Sequence, residues 1–353
     1  MSKKPYFCIA IFFFVQQILI AQSLPLSVLP KNVQKELKDF VYVNQTQCVL
    51  GFHAGWDSLQ LHGPRKATVN AYLINRFEVS VEEFRAFYMA TGLDTDKPDS
   101  TIWSTEFPYA SYSEALIQNY FSHPASSQYP VVCITWPQAV GYCVWKTKQI
   151  NALLSETGYE IDLRLPSEAE WELAALAIIP PKPTKDERII DRNTFPWEGS
   201  FLKKIGEDKL QFMCNSGNIN TPYNYDVLLL FQDGYMCTAP VKTFAPNDFG
   251  LYQMAGNVAE WTADAYRVDI VRLDSMKQEL LKTDPNAFDD ERLKNMVVPK
   301  FPYKKYDDYK IVKGGSWFDE PFYQQCGVRK IQHPTKASAT IGFRPVCIVR
   351  KKT

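Results

Sequence analysis

A mixed α+β domain with low regular secondary structure is the fold class this sequence predicts, on three observations. Three helices carry complete start signals, with short apolar strands before two of them. Residues 195–260 are rich in Gly, Asn, Asp, Pro and aromatics, the composition of irregular backbone. The 353 residues include 8 Trp, 19 Tyr and 22 Phe, large side chains able to pin such backbone.

At the start of the chain, Lys3 and Lys4 precede an apolar run from about Tyr6 to Ile20, followed by Ala21-Gln22-Ser23. Residues 1–22 therefore read as a signal peptide, with a retained membrane anchor as the other reading. Cys8 does not follow the apolar run, as a lipidation cysteine would. Residues 23–50 form a lead-in with a short helix in "VQKELKDFVY", and the main domain is expected over 51–350. There, "ATVNAYLINRFEVSVEEFRAFYMATG" predicts a strand carrying Val69, Ala71 and Leu73. A helix follows, with Ser80 and Glu83 as its capping box and Gly92 as its end. "PVVCITWPQAVGYCVW" repeats the pattern with Thr135 and Gln138, and "LRLPSEAEWELAALA" with Ser167 and Glu170. A charged segment at about 267–310 reads as an excursion from the domain, or equally as a disordered loop.

Lys+Arg and Asp+Glu both count 39, so no overall field draws nucleic acid or an anionic membrane. Four histidines and no CxxC motif argue against a zinc site. Of 8 cysteines, Cys8 leaves with the signal; an odd number remains, so at least one thiol is unpaired or pairs with another chain.

Seven motifs in order then carry a resemblance: "FEVSVEEFRAF", "PVVCITWPQAVGYCVW", "RLPSEAEWELAA", "FPWEGS", "GLYQMAGNVAEWTADAYR", "KGGSWFD" and "IGFRPV". Together they resemble the formylglycine-generating enzyme, or sulfatase-modifying factor, family. The resemblance implies the formylglycine-generating-enzyme fold, a C-type-lectin-like architecture. It also implies two copper-binding cysteines, two and seven residues after Trp317, where this chain has Asp319 and Gln324. A carboxylate and an amide cannot supply the thiolate pair that Cu(I) needs, so no copper is expected and no catalytic residue is assigned. Cys326 matches a structural half-cystine whose partner position is Ala175. The resemblance further implies a Cys143–Cys347 bridge, and Cys214–Cys237 could close the irregular stretch. Ser316 reads as a turn serine, no His or Lys being spaced to activate it.

Two structural calcium sites follow from the same resemblance. One would use the Asn218 and Asp233 side chains with the Ile219 and Tyr235 carbonyls, the other Gln253, Gly256, Val258 and Glu260. Asn and Asp making ordinary turns is the alternative. Within the superfamily the chain looks most like the non-catalytic gliding-motility and type IX secretion proteins of the GldK/PorK and GldJ kind, through "WTADAYR" and the charged segment after it. The expectation is thus an exported scaffold in the periplasm or at the outer-membrane periphery. It would contact other envelope proteins through residues 267–310, with homo- or hetero-oligomers open and no span left after signal cleavage. The alternatives are an oxidase of the family acting on a protein, against which Asp319 and Gln324 weigh, and a C-type-lectin-like ligand-binding protein.

Overall fold

The helices begin where local side-chain chemistry places their first turns. The computed structural model describes residues 23–51, 65–108, 113–177, 194–199, 203–205, 210–217, 233–267 and 308–352. The signal-peptide reading, Asn218, Ile219 and nearly all of the 267–310 segment lie outside the described residues. In chain order the elements begin with α1 (Lys31–Glu36), β1 (Phe40–Val43), β2 (Thr46–Leu50), β3 (Arg65–Val69), β4 (Tyr72–Asn75) and α2 (Val81–Thr91). Next come α3 (Ile102–Glu106), α4 (Ser113–Asn119), α5 (Trp136–Leu153), β5 (Tyr159–Arg164) and α6 (Glu168–Leu176). The last are β6 (Lys203–Ile205), β7 (Leu210–Phe212), β8 (Ala259–Ala265), β9 (Lys310–Lys313), β10 (Lys330–Gln332), β11 (Ile341–Gly342) and β12 (Val346–Lys351).

All three capping boxes form: Ser80, Thr135 and Ser167 accept from Glu83, Gln138 and Glu170, whose side chains reach back to the cap N–H. Each cap is worth about 1 kcal/mol. Gly92 closes α2 in the left-handed conformation.

Two strand expectations are corrected. The run from Val69 to Leu73 is not one strand: β3 pairs with β2, while β4 pairs with β1 and β12, so the chain changes sheet between them. "PVVCI" makes one bridge, Pro130 to Ser80, and no strand. Cys133 stands at φ 60°, where an extended ladder cannot continue.

The larger sheet has the order β1-β4-β12-β5 and is antiparallel throughout. Its central strand places Cys347 between Leu73 and Leu163. The main core includes Phe84 and Phe87 of α2, Tyr142 and Ile150 of α5, and Phe343. Residues 23–50 are built into this core rather than leading up to it. β1 is a strand of the larger sheet, Leu29, Val33 and Leu37 are buried, and Leu24 N–H bonds Val349 O at 2.8 Å.

The second sheet, β10-β9-β8-β11, carries the features that matter for function. β8 issues from "GNV", and β9 runs into Gly314-Gly315-Ser316. Tyr266 N–H bonds Tyr309 O, so these two described residues stand side by side at the edge of this sheet. Among the described residues no helix is long and apolar enough to cross a membrane.

Candidate functional site

The rim opens at the end of β9, where Gly315 takes φ 63° and passes so near the next turn that a Cβ would lie 2.9 Å from Gln324 Cγ. Ser316 Oγ donates to Asp319 Oδ2 at 2.6 Å and accepts from Phe318 N–H at 3.3 Å. Lys330 forms an ion pair with the other oxygen of Asp319. Gln324, fully buried, donates to Ser316 O and Asp319 O at 3.4 and 3.3 Å, and accepts from the Cys214 thiol at 3.4 Å. The two positions where the resemblance implies copper-binding cysteines are therefore stitched into one hydrogen-bonded turn.

That geometry decides the chemistry. A carboxylate beside a serine can serve as its base, but Ser316 is fully buried and Lys330 already neutralises Asp319. The donor set does not fit copper, because neither an amide nor an ion-paired carboxylate replaces a thiolate pair. Ser316 is the turn serine that the sequence suggests, with Asp319 as an unforeseen partner. Beside it Trp317 stacks on Trp103 at 6.1 Å and meets Phe107 at 5.1 Å. Phe318 is 61% exposed.

Behind the rim, "GNVAEW" ties three segments together. Asn257, at φ 58°, accepts from Ala239 N–H at 2.7 Å and donates to Glu78 Oε2 at 2.6 Å. Its carbonyl takes Trp317 N–H at 2.8 Å. Glu260 Oε1 accepts Arg344 Nε and Nη2 at 2.8 and 2.6 Å. Its Oε2 accepts Arg344 Nε and Trp171 Nε1 at 2.8 and 2.7 Å. Three N–H groups make those contacts, the single Arg344 Nε–H being shared between the two carboxylate oxygens.

For the four ligands expected at the second calcium site, the structure makes Glu260 the counter-ion of Arg344, its charge already compensated by the guanidinium. Gln253 is buried, donates to Pro240 O at 3.3 Å, and leaves Oε1 without a hydrogen-bond partner among the described residues. Gly256 stands at φ 75°, and Val258 N–H bonds Glu78 Oε1 at 3.3 Å. The set does not fit calcium through Glu260. Of the first site, Asp233 accepts from Ser216 and Tyr235 N–H groups at 3.3 and 3.0 Å. Burial pushes its carboxyl up.

A second buried charge cluster sits under β9. Glu168 pairs with Arg329 and, at 3.0 Å, with Arg65, while Lys313 Nζ lies 3.8 Å from Glu168 and 3.6 Å from Glu172. Burial lowers the Lys313 ammonium. Burial alone would raise Glu168, but Arg329, Lys313 and Arg65 hold it well below the usual carboxylate range. Its unfolded value is about 4.3. The depressed value therefore contributes stability above that pH, lost as pH falls through the folded value. Glu168→Gln is expected to lower the neutral melting temperature and flatten the acid limb below about pH 4.3. Melting temperature against pH checks this; parallel acid limbs in the two proteins would contradict it.

Cys143 and Cys347 are buried in one core cluster but stand as free thiols, as do Cys214 and Cys237, so neither expected bridge is formed. Cys326 shares its cluster with Ala175, the position the resemblance pairs with it. Three contributors went unassigned from sequence: Lys330, Glu78 and the Cys214 contact to Gln324. The readable signal was for Glu78 alone, an acid set between Phe77 and Val79 in "FEVSV".

Residues 26–349 match the family model described as the sulfatase-modifying factor enzyme 1-like domain. The chain is 28% identical to the formylglycine-generating enzyme of Thermomonospora curvata, over 80% of this chain and 84% of that protein. It is 26% identical to the inactive C-alpha-formylglycine-generating enzyme 2 of Bos taurus, over 66% of this chain and 74% of that protein. The solved structure of PvdO from Pseudomonas aeruginosa has the same fold, with TM-score 0.54, 19% identity, and coverage of 88% of this chain and 94% of that one. The mixed architecture with modest regular structure is thus the formylglycine-generating-enzyme, C-type-lectin-like fold.

Proposed function

The chain belongs to the sulfatase-modifying factor enzyme 1-like family, and from that premise we propose that it is an exported, non-catalytic scaffold on this fold. One observation carries the reading: Asp319 and Gln324 stand where the cysteines would, and both are held in structural hydrogen bonds with Ser316, Lys330 and Cys214. Two soft ligands in Cu(I) geometry are replaced by groups that close a turn. An inactive relative within the same family supports a protein that keeps the fold without the reaction.

The protein is expected to produce no formylglycine from a cysteine-containing peptide with Cu(I) and oxygen, measured by peptide mass and oxygen consumption. Sustained turnover would overthrow the proposal and favour the family oxidase.

The finer reading is a component of gliding or type IX secretion machinery in the periplasm or at the outer-membrane periphery. What supports it is "WTADAYR" followed in sequence by the charged segment, between residues Tyr266 and Tyr309 that bond each other. That segment is the proposed contact for envelope partners. Pull-downs from an envelope fraction, with and without residues 268–307, test it; equal capture by both forms would remove that role. Calcium belongs to this proposal only at Asp233, whose carboxylate has acceptor capacity beyond its two N–H contacts. Chelation lowers the melting temperature if that ion is held.

A further inference from the structure

Two cysteines outside the rim network pack into the aromatic wall behind Trp317. Cys133 is buried in a cluster with Trp103, Tyr120, Val258 and Trp317, and half-buried Cys237 packs against the same cluster. They arrive from segments far apart in sequence, and Tyr120 holds those segments together. Its hydroxyl bonds Pro130 O at 2.7 Å and Thr238 Oγ1 at 2.9 Å, so one phenol touches the stretch leading to Cys133 and the neighbour of Cys237. That phenol is itself buried, and burial raises its proton affinity. Cys133 sits at φ 60°, strained for a residue with a Cβ. Strain of this kind persists where surrounding structure over-determines a position, and here it turns the Cys133 segment out of the strand path at the wall.

The exposures divide the labour. Cys237 is the accessible thiol of the two, and Cys133 is 2% exposed. Cys143, Cys214 and Cys347 are each 1% exposed or less, so a reagent in solution meets Cys237 before any of these.

We infer that Cys133 and Cys237 are a redox-responsive thiol pair that closes into a disulfide across the aromatic wall. The oxidant is a small-molecule or protein disulfide. The Cys237 thiolate attacks one of its sulfurs, forming a mixed disulfide and releasing the first thiol. The Cys133 thiolate then attacks Cys237 Sγ, forming the internal bond and releasing the second. Two protein thiols are oxidised, one external disulfide is reduced to two thiols, and the protons end on those two thiols. The bond would tie the Asp233–Cys237 loop to the segment before α5 and lock the wall that flanks exposed Phe318.

The test incubates the reduced, folded full chain with oxidised glutathione, quenches with an alkylating reagent, and maps a non-reduced digest by mass spectrometry. The expected product is a cross-linked peptide pair containing Cys133 and Cys237, in a protein two hydrogens lighter. Cys133→Ser should stop at a glutathione adduct on Cys237, and Cys237→Ser should give neither adduct nor link at Cys133. A wild-type protein that stops at the Cys237 adduct would overturn the inference. So would Cys237 linking to another cysteine, or no reaction at either thiol. The wild-type map decides the matter even where a variant folds poorly.

Discussion

Replacing Arg344 with methionine is expected to destabilise the fold by about 3–5 kcal/mol, the range for removing one partner of a buried ion pair. Both Arg344 and Glu260 are fully buried, so water cannot take the place of the lost guanidinium. Arg344 also bonds the carbonyls of Arg76 and Tyr252 at 3.0 and 2.8 Å, and those of Asn75 and Gln253 at 3.3 and 3.4 Å. Removing it strands the Glu260 carboxylate close to Glu78, which burial and the neighbouring Glu260 already push well above the carboxylate range. Arg344→Lys should recover part of the loss, because an ammonium keeps the charge without the planar fork that reaches several acceptors. Urea unfolding at neutral pH measures both. A loss under about 1 kcal/mol for the methionine variant would mean that the pair is not the counter-charge it is taken to be.

Gly256→Ala should do comparable damage for a steric reason. Gly256 stands at φ 75°, and a Cβ there would meet Asn215 O at 2.1 Å and Cys214 Cβ at 3.1 Å. The left-handed backbone costs an alanine about 1–2 kcal/mol. Overpacking adds about 1–3 kcal/mol. Asn215 O cannot retreat freely, because it accepts Asn257 N–H at 2.8 Å. Gly92 separates the two causes: it has φ 63° but nothing within 4 Å of the same Cβ. Gly92→Ala should therefore show only the conformational part. Equal losses at the two positions, read from melting temperature, would rule out the clash.

What could be read beforehand was mostly local. A capping box links residues three apart, so Ser80–Glu83, Thr135–Gln138 and Ser167–Glu170 are visible in a short window. The family resemblance gave "GGSW" the two absent thiols and "GNVAEW" a separate calcium site, and the bond from Trp317 N–H to Asn257 O shows that the two elements adjoin. The partners inside that site were not visible. Glu260 and Arg344 are 84 residues apart, and nothing in their spacing tells that an arginine rather than a metal would neutralise the acid. Nor did the apolar run around Cys133 reveal that one left-handed residue would end the strand. Propensity describes a residue's average surroundings, and these outcomes depend on what the fold brings alongside.

The placement of β12 has a consequence for the order in which the molecule can be assembled. It is the last described strand in sequence, yet it lies between β4 and β5 and forms both of their ladders. Without residues 346–351, β4 and β5 have no strand to join them in this sheet. Val349 O, which takes Leu24 N–H, belongs to the same late segment. Closure by such distant pairing is slow, since loop entropy is lost before contacts are gained. Until residues 346–351 are in place the larger sheet therefore lacks the strand that couples β4 to β5, which makes its completion a late event in folding.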